Sequence, residues 1–68
     1  MVEISYKKLW KLLIDKGISK IQLREKLGLG TGALSKLGKN DAVSLEILAK
    51  ICLKFKCQIG DIMEFIYG

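Results

Sequence analysis

Apolar residues recur along the chain at three- and four-residue spacing, and glycines interrupt the pattern. Leu9, Leu12 and Leu13 fall on one face of a helix, with Lys16 in the last turn and Gly17 as the stop. Ser5 is placed to cap this helix, and Ile4 to pack onto Leu9 across its first turn. The first helix is therefore expected over about 5–16. Ser19-Lys20-Ile21-Gln22 has the form of a capping box, with Ile18 and Leu23 as the flanking apolar pair. Leu23 and Leu27 lie one turn apart, and Gly28 ends a second helix of about 20–27. After Gly28-Leu29-Gly30, a third helix is expected over about 31–39. One of its faces holds Ala33, Leu34 and Leu37; the other holds Thr31, Gly32, Ser35, Lys36 and Lys39.

Ser44 caps a fourth helix, with Val43 and Leu48 as its apolar pair. Leu45, Leu48, Ile51, Cys52 and Phe55 give that helix an apolar stripe. Ile59, Ile62, Met63, Phe65 and Ile66 predict a fifth over about 59–66. No run alternates apolar and polar residues for long enough to predict a strand. The expected fold is all-α: one domain over residues 1–68, a compact bundle of five short helices.

Composition narrows the chemistry. With 68 residues, the chain can bury only a small core and has little room for an enzymatic cleft. It contains no His and no Pro, so the commonest general base and zinc ligand is missing. No paired carboxylates share a face, and the Gly28–Gly32 stretch lacks the spacing of a phosphate-binding loop. An enzyme, a metal site and a cofactor are not expected. Two cysteines, Cys52 and Cys57, are too few for a disulfide scaffold and suit a reducing cytosol. Both are expected in the core, with a disulfide between them or a redox role as the alternative. No stretch reads as a membrane span or a signal peptide, so a cytoplasmic location is expected.

The charge is uneven. Of 12 basic and 7 acidic residues, nine bases and three acids lie in residues 1–40, a net of +6. Residues 41–68 carry three bases and four acids, a net of −1. The basic half points to an anionic partner, with a solvated face as the alternative. Within that half, Ser19–Asn40 reads as a capped helix, a short turn and a helix with one slender, acid-free face. A helix that enters the major groove, about 12 Å wide, needs such a face.

These residues resemble the helix-turn-helix of the Cro/cI-type family, the lambda-repressor-like or XRE DNA-binding domains. Leu23, Leu27, Gly28, Leu29, Gly30, Leu34, Ser35 and Leu37 match its pattern. Asn40, Val43-Ser44-Leu45, Leu48 and Ile51 resemble the start of its fourth helix, and Cys57–Ile62 the start of its fifth. The likeness covers nearly the whole chain and is greatest to short members such as the VanU-like regulators.

The resemblance implies a small transcriptional regulator that binds double-stranded DNA sequence-specifically. Its helix-turn-helix would lie at about 19–39, with the recognition helix at about 31–39 in the major groove. Thr31, Gly32 and Lys36 would point at the groove, with Ser35 beside them. Lys20, Lys39 and Asn40 would meet phosphates, which fix register without reading sequence. Lys7, Lys8 and Lys11 read as a solvated face, with phosphate contact as the alternative. Three positions depart from the family pattern. Arg24 stands where a small residue is usual and is expected to lay its stem over the third helix. Lys20 stands where Gln is common. Gly32 offers a base no side chain, and its expected use is close approach of the backbone.

Apolar residues exceed what so small a core needs. Trp10 is expected under the terminal segments, with a partner surface as the alternative. Phe65 and Ile66, on the expected fifth helix, are predicted at or beside a homodimer contact. The alternative for Phe65 is packing onto Trp10 and the first helix. No small-molecule ligand or membrane partner is expected. The rival to DNA binding is a protein-interaction module of the same fold, an antitoxin-like partner.

Overall fold

The computed structural model describes residues 2–68. In order, these form β1 (Val2–Ser5), α1 (Lys7–Lys16), α2 (Lys20–Leu27), α3 (Thr31–Gly38), α4 (Leu45–Phe55), a single 3₁₀ turn (Ile59–Asp61) and β2 (Glu64–Tyr67). Met1 lies outside the described residues. Among the described residues no helix is long and apolar enough to cross a membrane.

The four helices lie where the apolar periodicity puts them. Gly17 and Gly28 adopt the left-handed conformation, φ 67° and 66°, that stops α1 and α2. A side chain there would be strained, so glycine is the natural terminator. The capping box of α2 is complete. Ser19 Oγ accepts from the Gln22 N–H at 3.1 Å, and Gln22 Oε1 accepts from the Ser19 N–H at 2.9 Å. Ser44 Oγ accepts from the Ile47 N–H at 3.3 Å and starts α4. The core holds Tyr6, Leu9, Leu13, Leu23, Leu37, Leu48, Ile51 and Ile62, all buried. Leu29, in the turn between α2 and α3, is buried as well.

The two ends of the chain depart from the expected fold. The described residues form four helices, not five, and a two-stranded sheet joins the ends of the chain. β1 and β2 pair antiparallel, with Val2 opposite Tyr67, Glu3 opposite Ile66, Ile4 opposite Phe65 and Ser5 opposite Glu64. Ser5 is therefore a strand residue. The first helix begins at Lys7 after Tyr6, two residues later than expected, without a side-chain cap. The Ser5 hydroxyl accepts from the Lys7 N–H at 3.3 Å, outside the helix rather than as its cap.

Residues 59–66 fail as a helix for a physical reason. Gly60 weakens any helix there, while Ile59, Ile62, Phe65, Ile66 and Tyr67 are β-branched or aromatic and favour a strand. A partner strand is on hand, and pairing with it satisfies backbone groups that a short terminal helix would leave open. Of the expected stripe only Ile62 is fully buried; Met63 is half-buried and Ile59 is exposed. On α4 the stripe is narrower than expected, because Leu45 is 75% exposed.

Candidate nucleic-acid interface

The interface is built on α2, the turn and α3. Gly28 ends α2 with two backbone bonds, from its own N–H to the Glu25 carbonyl at 3.4 Å and from the Leu29 N–H to the Arg24 carbonyl at 3.0 Å. Leu29 then turns into the core, and α3 begins at Thr31 after the extended Gly30. Arg24 is half-buried beside this turn.

On α3 the division of faces is clear. Leu37 is buried in the core, and Ala33 and Leu34 are half-buried. Thr31, Gly32, Ser35, Lys36 and Lys39 are exposed. At 100° per residue, these five positions span about 140° of the helix circumference and form one continuous face. No acidic residue lies on it. A Cβ added at Gly32 would meet nothing within 4 Å. Packing inside the protein therefore does not require glycine at that position.

Two expected phosphate-binding residues have structural partners. Lys20 Nζ lies 4.2 Å from the centroid of the Trp10 ring, a cation–π contact. Trp10 is half-buried and packs against the core. It borders a groove with Leu13, Ile14, Ile18, Ser19 and Lys20 at the α1–α2 turn. Asn40, with φ 59°, accepts from the Tyr6 N–H through Oδ1 at 3.2 Å. Its side-chain oxygen is therefore engaged within the protein. Lys39 is free of such contacts and exposed at the end of α3. On α1, Lys8 donates to the Gly60 carbonyl at 3.2 Å and lies 3.9 Å from Glu64.

Sequence reasoning missed Tyr6, the residue that supports this interface from behind. Its side chain is 1% exposed, and its hydroxyl donates to the Asp41 carbonyl at 2.7 Å. Together with the Asn40 contact, this ties the start of α1 to the segment that follows α3. The Asp41 N–H in turn donates to the Lys36 carbonyl at 2.9 Å and closes the end of the helix. Burial pushes the Tyr6 phenol above its usual range; a hydrogen bond from the Val43 backbone opposes this and the nearby Asp41 charge adds to it. One signal was available: an aromatic residue immediately before a helix, with a polar tip that needs a buried partner.

Residues 8–67 match the family model of the Cro/C1-type HTH DNA-binding domain. The chain belongs to this family. Its fold is similar to the crystal structure of the transcriptional regulator VanUg, with a TM-score of 0.94 and 46% sequence identity. That likeness covers 98% of this chain and 89% of the other. No curated protein matches the chain. Within this Cro/C1-type domain, the acid-free face of α3 is turned to solvent.

Proposed function

We propose that the protein is a small transcriptional regulator that binds double-stranded DNA sequence-specifically, with α3 in the major groove. The observation that carries this reading is the face of α3. Thr31, Gly32, Ser35 and Lys36 are exposed, slender or cationic, on a helix anchored to the core by Leu37. Thr31 meets a thymine methyl or donates to a base, and Lys36 donates to guanine O6 and N7. Lys39, and Lys20 and Asn40 with the groups left to them, meet phosphates. Membership of a DNA-binding family supports the reading, as does the likeness to a transcriptional regulator.

The same reading has the protein act as a homodimer, so that two copies of α3 reach half-sites about 34 Å apart. Phe65 belongs to this contact, now as a residue of β2, and Ile66 lies beside it, on the opposite face of the ribbon across from Glu3. Both are exposed, at 53% and 46%. Phe65 pairs with Ile4, and Val2 with Tyr67, so one face of the ribbon is apolar in all four positions. Phe65→Glu therefore leaves a folded monomer, by sedimentation and circular dichroism, that binds DNA with less cooperativity. A variant that stays dimeric would remove Phe65 from the contact.

DNA binding itself is tested by salt and by two lysines. With about four phosphates met per protomer, log K against log salt has a slope of roughly −3 to −4. Lys36→Ala loses about 1–3 kcal/mol of discrimination between the selected site and random duplex, whereas Lys39→Ala weakens both alike. Equal losses for Lys36→Ala would remove it from the base-reading set. Exposed Ile14, Leu45 and Leu53 favour a second reading, a protein-interaction module of the antitoxin type. A salt slope near zero selects that module instead.

A further inference from the structure

Both cysteines lie outside the α3 face, and the fold brings them together. Cys52 is in the last turns of α4 and Cys57 just beyond its end. Lys56 between them is left-handed, with φ 51°, and turns the chain back on itself. The Cys57 N–H then donates to the Cys52 carbonyl at 3.0 Å, and the Lys56 N–H to the Leu53 carbonyl at 3.4 Å. These are the two bonds of a Schellman cap. In that motif the side chains at the two ends of the longer bond usually make an apolar contact. Here both of those side chains are thiols.

The pair is also reachable. Each cysteine is half-buried, neither deep in the core nor fully exposed. Both border one surface groove with Leu45, Ala49 and Gln58, and Cys57 borders a second groove with Lys8, Lys11 and Asp61. A small molecule in solvent therefore reaches both thiols from one groove. Proximity across one helix cap and access are what an exchange that ends in an intramolecular disulfide requires.

We infer that Cys52 and Cys57 form a dithiol site that reacts as one unit with low-molecular-weight disulfides. The first thiolate attacks a disulfide RSSR, forms a mixed disulfide with the protein and expels one RS⁻, which takes up the proton that thiol gave up. The second cysteine, as thiolate, then attacks the protein sulfur of the mixed disulfide and expels the second thiol. In sum, two protein thiols and RSSR give one Cys52–Cys57 disulfide and two RSH. The product staples the end of α4 to the segment that leads into the 3₁₀ turn. Burial and the neighbouring Cys52 hold the Cys57 proton more tightly than usual, so the exchange speeds up as pH rises.

One equivalent of dithiodipyridine per folded chain tests the site. The expected result is release of two pyridinethiones, no adduct left on the protein and a chain two hydrogens lighter by mass spectrometry. The second release is first-order and unchanged on tenfold dilution, because the two sulfurs share one molecule. Cys52→Ser and Cys57→Ser each release one pyridinethione and keep one adduct. Retention of stable adducts by the natural chain overturns the inference. So does disulfide formation between chains that grows with protein concentration, or a lack of reaction while circular dichroism shows the fold intact.

Discussion

The α2–α3 unit and the terminal ribbon are assembled by different physics. Between Ser19 and Asn40 nearly every structural decision is made within a few residues: the capping box, the left-handed Gly28, the buried Leu29 and the alternation of faces on α3. In the ribbon, Val2–Ser5 pairs with Glu64–Tyr67 across almost the whole chain. Neither four-residue strand carries a local signal strong enough to define it. Local interactions thus shape the candidate interface, and long-range pairing shapes the apolar surface that the protein presents elsewhere. The contrast teaches that the α2–α3 unit is set by interactions close in sequence, whereas the ribbon depends on the rest of the fold to bring its two strands together.

The contrast can be broken most forcefully at Ile62, the fully buried residue that joins the 3₁₀ turn to the core. Ile62→Ala is expected to lose about 2–5 kcal/mol in urea unfolding, from lost burial and the cavity left behind. Phe65→Ala, three residues on but exposed, loses under about 1 kcal/mol. Equal losses would mean that the ribbon itself, rather than its anchor, contributes the stability.

A smaller effect is expected at Tyr6, which links the two regions. Tyr6→Phe removes the bond to the Asp41 carbonyl and lowers stability by about 1 kcal/mol at neutral pH. Burial raises the folded-state pKa of this phenol, so the fold favours its neutral form. That stabilisation is complete below the usual phenol value of about 10 and is lost as pH rises through the folded-state value. Urea midpoints should therefore fall above pH about 10, and fall less steeply in Tyr6→Phe. Parallel curves for the two proteins would assign the alkaline loss to other groups.

Within the α2–α3 unit, Ser19→Ala removes one bond of the capping box and is expected to lose about 1 kcal/mol. Hydrogen exchange should show the added opening concentrated in the first turn of α2 and leave the ribbon unchanged. Spread of the effect into β1 and β2 would contradict the local character of this unit.

The smallest effect has the opposite sign. Gly32→Ala meets no clash in the protein and is expected to stabilise α3 by about 0.5–1 kcal/mol. If Gly32 lets the backbone approach a base, the same substitution weakens DNA binding while it raises the melting temperature. Unchanged affinity would assign that glycine no part in recognition.

Legibility followed the range of the interactions. The caps at Ser19 and Ser44, the stops at Gly17 and Gly28, and the buried faces of α1 and α3 were readable because each rests on neighbours within one or two turns. The exposed face of α3 was readable for the same reason. Lys20 over Trp10 was not, since it depends on how α1 and α2 cross. Asn40 against the Tyr6 N–H was not either, because its partner lies 34 residues away. Phe65 and Ile66 were rightly seen as more apolar surface than a small core can cover. Their helix was wrong, because spacings of three and four among β-branched and aromatic residues fit a helix on paper while a free strand edge favoured the ribbon.

By itself, the sequence determined the four helices, the caps of α2 and α4 and the acid-free basic face of α3, since side-chain periodicity, glycine conformation and charge act over short distances and need no partner. Only the tertiary structure decided the fate of the two chain ends, the burial of Tyr6 and the meeting of Cys52 with Cys57. A strand is defined by its partner, a buried hydroxyl by its acceptor, and a thiol pair by the turn that closes it. Each of these depends on where the rest of the chain has gone.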